Sequence, residues 1–240
     1  MSGLRPYCLT VGQSLLAGLG LCLLIVSGAR AQEARTPDAA TLLFETPQFH
    51  KTPAGSRLTY AYGRKVATSA LGPSYDDRII LMIEAPSEPQ GAAPSGEGAR
   101  NVRVDFFGPE RHRAAGPFEG IVANPALMLF LENHVADLSQ KLQGNPRYFK
   151  NAIRAALRDK AKVEPTTLAL GDKSYAGWRI SVSPFADDPD KARLRGLDTL
   201  AYIFEVAPDL PGEIARIQVT AKSPEGTLWE EDLSYDPKGS

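Results

Sequence analysis

Thiol chemistry has almost no material in this chain. Of its 240 residues only Cys8 and Cys22 are cysteine, and both fall within the first 31. Histidine is nearly as scarce. His50, His112 and His134 stand far apart, no two at metal-ligand spacing, and no His-Glu-x-x-His motif occurs. Gly-x-Ser-x-Gly and Ser-x-x-Lys are both missing, so nucleophilic catalysis has no recognisable foothold. Asn-x-Ser/Thr acceptors for glycosylation are absent. Neither sign of charge dominates: 27 basic side chains face 28 acidic ones, which is no footprint for nucleic acid. The sequence therefore assigns no catalytic residue, no metal ligand and no cofactor.

What is present begins with the first 31 residues. A weakly basic start with Arg5 leads into the apolar run Ser14–Val26, followed by Ser27-Gly28 and the small-x-small triplet Ala29-Arg30-Ala31. That order of charged, apolar and cleavage regions is the pattern of a secretory signal peptide, with cleavage expected after Ala31. The run is about a dozen residues, short of the ~20 that a membrane-spanning helix needs. The alternative is retention as an N-terminal membrane anchor. Cleavage would remove Arg5, Arg30 and both cysteines, leaving 25 basic against 28 acidic side chains and no thiol. Thiolate metal sites and cysteine nucleophiles are then excluded. Missing cystines and glycosylation acceptors favour a bacterial periplasm as the destination.

Residues 32–41 are polar and contain alanine and proline, so a flexible leader is expected there. Strand signals follow. Leu58, Tyr60 and Tyr62 alternate with Thr59, Ala61 and Gly63, and Val102, Val104 and Phe106 alternate with Arg103 and Asp105. Asp77–Ala85 is apolar on both parities, as in a more central strand. Between them Pro86–Ala99 reads as a low-complexity, mobile loop. At Asn124 the period changes. Asn124-Pro125 and Asn145-Pro146 each put a capping side chain before a proline at the first helical position. Apolar residues then recur at helical spacing, predicting a two-helix hairpin over about 124–162 with Gly144 at its turn. Five further strands are expected at Thr167–Leu170, 178–182, 200–206, 217–221 and Trp229–Tyr235.

Three strands, a helical hairpin and five strands predict one α+β domain over 42–240, dominated by antiparallel sheet. Helices are ~10 Å wide and strands ~4.8 Å apart, so two helices cover about four strands. The uncovered apolar face must acquire a second layer, form a groove, or curl around the helices as a half-barrel or barrel; curling is the least demanding answer and the one expected.

One surface is patterned. Arg147, Lys150, Arg154 and Arg158 recur every three or four residues opposite Phe149, Ile153 and Leu157. Lys160 and Lys162 extend the charge. Such a basic amphipathic helix suits an anionic partner or lipid surface, or is simply a solvated face. His134 is expected at the boundary of the first helix's apolar stripe, and His112 in a solvated turn between Arg111 and Arg113. Asp76-Asp77 and Asp187-Asp188-Pro189-Asp190 pair carboxylates, a pattern used most often for turns and helix caps. Tyr60, Tyr62, Phe106, Trp178, Tyr202, Phe204 and Trp229 are expected in the core, with a ligand wall as the alternative.

The segments TPAGSRLTYAYGR, DDRIILMIEA, NPALMLFLENHV and NPRYFKNAIRAAL resemble those of uncharacterised exported bacterial proteins, over most of the mature chain. More loosely, the strand–helix–strand layout is similar to periplasmic lipoprotein-carrier and lipid-binding half-barrels. That likeness implies an apolar concavity for acyl chains. The leading expectation is a non-enzymatic periplasmic binding or accessory domain for a lipid or other hydrophobic ligand. Against it stand an envelope protein-interaction or structural module and, third, an enzyme with a dispersed carboxylate site drawing on Asp76, Asp77, Asp187 or Asp188.

Overall fold

The computed structural model describes residues 36–86, 98–106 and 113–240. The expected signal segment with both cysteines, residues 32–35 of the expected leader, residues 87–97 of the expected loop, and His112 lie outside the described residues. Thr36–Ser240 form one unit.

Alternation of apolar and polar residues builds two antiparallel meanders. The first comprises β1 (Arg57–Val66), β2 (Tyr75–Glu84), β3 (Arg100–Phe106) and β4 (Arg113–Ile121). The second comprises β5 (Lys162–Leu170), β6 (Lys173–Val182), β7 (Ala201–Val206), β8 (Ile214–Ser223) and β9 (Gly226–Tyr235). Pairing of β1 with β9, in the register Tyr60–Tyr235 through Val66–Trp229, fuses them into one nine-stranded sheet ordered β4-β3-β2-β1-β9-β8-β7-β6-β5. It is not closed into a barrel; β4 and β5 are its edges. Between these edge strands the chain runs through α1 (Pro125–Leu142) and α2 (Pro146–Asp159), which pack against each other. Both begin as their sequences dictate, the Asn124 side chain accepting from the Ala126 N–H and that of Asn145 from the Arg147 N–H.

The fold class is thus the expected α+β, with three differences of detail. A fourth strand, β4, precedes the helices. Its sequence RAAGPFEGI lacks alternation and none of its residues is buried, so it left no periodic signal. Proline and glycine are tolerated there because it is an edge strand. At Gly116 (φ +94°) an added Cβ would come within 2.7 Å of the Val102 carbonyl oxygen, where the β3–β4 register shifts. Second, the hairpin ends at Asp159, and Lys162 already belongs to β5. Third, the end of the expected leader is structured. Asp38 accepts from the Thr41 N–H and hydroxyl, a helical turn spans Thr41–Glu45, and Ala39, Leu42 and Leu43 are buried.

This last difference shows what covers the sheet. Its inner face presents Leu58, Tyr60, Ile79, Leu81, Val102, Tyr202, Phe204, Ile217 and Trp229, all buried. Besides the two helices, short irregular segments complete the cover: Leu42, Leu43 and Phe49 from the entry, and Phe185, Leu194, Leu197 and Leu200 from the β6–β7 connection. Each such fully buried side chain contributes about 1.5–3 kcal/mol. Tyr60, Tyr62, Phe106, Tyr202, Phe204 and Trp229 are core residues, while Trp178 is half-buried.

One end of the sheet is tied by buried polar groups. The Asn124 amide donates to the Tyr60 hydroxyl (2.8 Å) and the Gly212 carbonyl (2.9 Å), and its backbone N–H donates to Gln48 Oε1. The Gly212 N–H donates to the Thr52 hydroxyl (2.9 Å). Beside Gly212, Glu213 is 3 % exposed, and its Oε1 has no hydrogen-bond partner among the described residues, although His50 Nδ1 lies 3.2 Å away. Burial raises its carboxyl to about 7, against the opposing pull of His50 and Lys51 and with a small upward push from Asp209.

A carboxyl whose pKa is raised on folding holds its proton more tightly in the native state. Stability therefore falls as pH rises from about 4.5 to about 7. Glu213→Gln should remove that slope, gaining on the order of 2 kcal/mol over the native chain at pH 8 and little at pH 4. Urea midpoints across this range measure it; parallel curves for the two proteins would show that Glu213 does not titrate this way.

Candidate functional site

The helices meet the entry segment in an exposed apolar groove of about 300 Å³. Leu127, Met128, Leu131 and Val135 of α1 form one wall, Ile153 and Leu157 of α2 the other, and Leu43 and Phe44 close the end. Helical spacing puts these residues on facing stripes. Phe44 and Met128 are 45 % and 47 % exposed, two of the three large apolar side chains on the described surface that are. Glu132, Lys150 and Arg154 stand on the rim. Lys150 is paired with Glu132, whereas Arg154 is exposed and forms no ion pair among the described residues. Among the described residues the groove is lined mainly by apolar side chains and carries one cation without an ion pair, Arg154, at its edge.

Of the four cations expected on one surface, Lys150 and Arg154 reach this groove. Arg147 and Arg158 do not line it; both are exposed, and Arg158 pairs with its neighbour Asp159. Lys160 pairs with Asp187 and Lys162 with Glu164. The paired carboxylates stay on separate elements. Asp76 and Asp77 lie on β2, Asp188 accepts from the Tyr148 hydroxyl and the Asp190 N–H, and Lys160 holds the carboxyl of Asp187 below its ordinary value.

Beneath α1 the structure places a charged cluster that sequence reasoning missed. His134 is 1 % exposed, not at a boundary. Its Nδ1 contacts Glu231 of β9, and its Nε2 lies 2.8 Å from the Tyr202 hydroxyl of β7. Glu231 also accepts from the Tyr62 hydroxyl of β1 (2.8 Å). His134 and Arg64, with these hydrogen bonds, hold the buried Glu231 carboxyl below its ordinary value despite desolvation. Arg64 pairs with Asp137 of α1, donates to the Leu71 carbonyl (2.8 Å) and stacks 4.2 Å from the Trp229 ring.

These contacts advance together along α1 and β1: Asn124 with Tyr60, Phe130 with Tyr62, Asp137 with Arg64. The helix therefore lies lengthwise over the β1–β9 pair, held at fixed rotation, which points Met128 and Leu131 into the groove. Parity carried the signal. Arg64 continues the inward series Leu58, Tyr60, Tyr62, and Glu231 falls between the inward Trp229 and Leu233, so two charges sit on core positions.

Replacing His134 by leucine leaves Glu231 buried beside one fewer partner, and a loss of about 3–5 kcal/mol in the urea-unfolding free energy is expected. The double variant His134→Leu/Glu231→Leu should recover part of that loss, because the charge leaves with its partner. A double variant as unstable as the sum of the two singles would contradict the cluster's role. Comparison of the chain with protein-family models and with curated proteins returned no match.

Proposed function

We propose that this is a non-enzymatic binding or accessory domain that holds an amphiphile, one apolar chain with one anionic head, in the groove between α1 and α2. The observation that carries the reading is the conjunction of an exposed apolar trough with an unpaired Arg154 at its rim. Water-exposed Phe44 and Met128 are unfavourable unless something covers them. The groove volume of about 300 Å³ sits at the small end of ligand sites, which suits a single acyl chain. The inner face of the sheet is filled by its own aromatic residues, so the reading places the ligand outside the core, unlike the concavity implied by lipid-carrier half-barrels. With the first 31 residues read as an export signal, the domain would act in the periplasm.

Each methylene buried contributes about 0.8 kcal/mol, or roughly fourfold in affinity. Titration with a series of saturated carboxylates should therefore show affinity rising about fourfold per carbon and levelling off once the groove is full. Arg154→Gln should weaken laurate about tenfold while leaving dodecanol unchanged, and Met128→Asp should weaken both. Equal affinity for acid and alcohol in the native protein, or laurate binding that survives Met128→Asp, would overturn the reading. Binding of an apolar helix peptide with no binding of the acids would favour the protein-interaction alternative instead.

A further inference from the structure

A second cavity, of about 380 Å³, opens toward the far end of α1, lined by residues of that helix and of β1, β2 and β4. Its character is opposite to that of the groove. Three cations line it, Arg64 of β1, Arg113 of β4 and Lys141 of α1, together with the side-chain amides of Asn133 and Gln140. Among the described residues Asp137 is the one carboxylate on its wall, and it is already engaged by Arg64.

Several details show that this is a built feature. Arg64 is 3 % exposed, and its Nε has no hydrogen-bond partner among the described residues. A buried guanidinium donor left unpaired is costly, and where no protein group meets it an ordered water or a bound ion is an ordinary partner. Arg64 Nη2 and Lys141 Nζ flank the same backbone position: a Cβ added at Gly72 would lie 3.5 Å from the first and 3.3 Å from the second. Neither Lys141 nor Arg113 forms an ion pair among the described residues. Arg64 is held between two acids, Asp137 and Glu231, whereas Lys141 beside it and Arg113 have none among the described residues, so the mouth of the cavity carries two cations that an anion would neutralise.

We propose that this cavity is a binding site for a small multivalent oxyanion of the phosphate class, either free or as a phosphomonoester head. Arg113 and Lys141 supply the charge at the mouth, the Asn133 and Gln140 amides donate to oxygens, and the buried Arg64, with its unpartnered Nε–H, forms the floor. Tetrahedral oxygens accept from several directions at once, which suits donors converging from a helix and two strands. The site is independent of the acyl groove and stands or falls separately from it.

Calorimetric titration with inorganic phosphate and, in a second arm, with glycerol phosphate tests it, at constant ionic strength set with sodium chloride. Saturable binding to the native protein is expected in at least one arm. Arg113→Gln and Lys141→Gln should each weaken it about tenfold, and the double variant should abolish it, with the circular dichroism spectrum unchanged. These side chains are at or near the surface, so either single variant suffices if the double variant folds poorly. Binding of phosphate alone assigns a free anion; stronger binding of glycerol phosphate assigns a phosphomonoester head. Heats no larger than those of chloride in both arms, or binding that persists undiminished in the single variants, would overturn the proposal.

Discussion

A wide sheet with one apolar face must be covered along its whole width, and the rest of the structure follows from how this chain meets that demand. Two helices span about four strands at ordinary spacings, yet nine strands are joined here edge to edge. The outermost strands reduce the requirement: β4 buries no residue and β5 only Leu168. The remainder is covered by segments with little regular structure, Leu42, Leu43 and Phe49 on one side and Phe185, Leu194, Leu197 and Leu200 on the other. Because the entry segment is drawn in as cover, it also abuts the helix pair, and the trough where the three meet is the candidate site. The groove is a consequence of the covering problem.

Position within that cover is set by polar contacts as much as by packing. Apolar side chains alone would allow α1 to rotate or slide over the β1–β9 pair at modest cost. Contacts from Asn124, His134 and Asp137 to Tyr60, Glu231 and Arg64 each have one geometry that satisfies them. A rotated helix would leave a buried charge unpaired, and that penalty is several kcal/mol. The charged cluster thus fixes which residues of α1 face the sheet, which face α2 and which are left exposed in the groove.

Much of the fold was legible because it is periodic. Alternation marked β1, β3, β7 and β8, and Asn-Pro pairs marked both helix starts. Where period failed, so did the expectation. The RAAGPFEGI strand exposes both faces and has no pattern to read, and Asp38 to Thr41, polar and alanine-containing, carry no apolar run that would set a docked turn apart from a leader. The four-cation helix face was visible, but its division was not: only Lys150 and Arg154 reach the groove, because the other wall is supplied by α1 and by Phe44, distant in sequence. His134 was misjudged for the related reason that its partners, Tyr202 and Glu231, come from strands 68 and 97 residues away. Arg64 and Glu231 were the readable clue, charges on the inward parity of otherwise apolar strands.

As the proposed ligand site, the trough between α1 and α2 should be the part of the domain that responds to an amphiphile. Methyl-resolved NMR of the protein titrated with laurate tests it most directly. Shifts concentrated at Met128, Leu131, Ile153 and Leu157 are expected, with the methyl groups of Ile79, Leu81 and Ile217 inside the core unmoved. Shifts spread through those core residues, or none at the groove at saturating ligand, would contradict it.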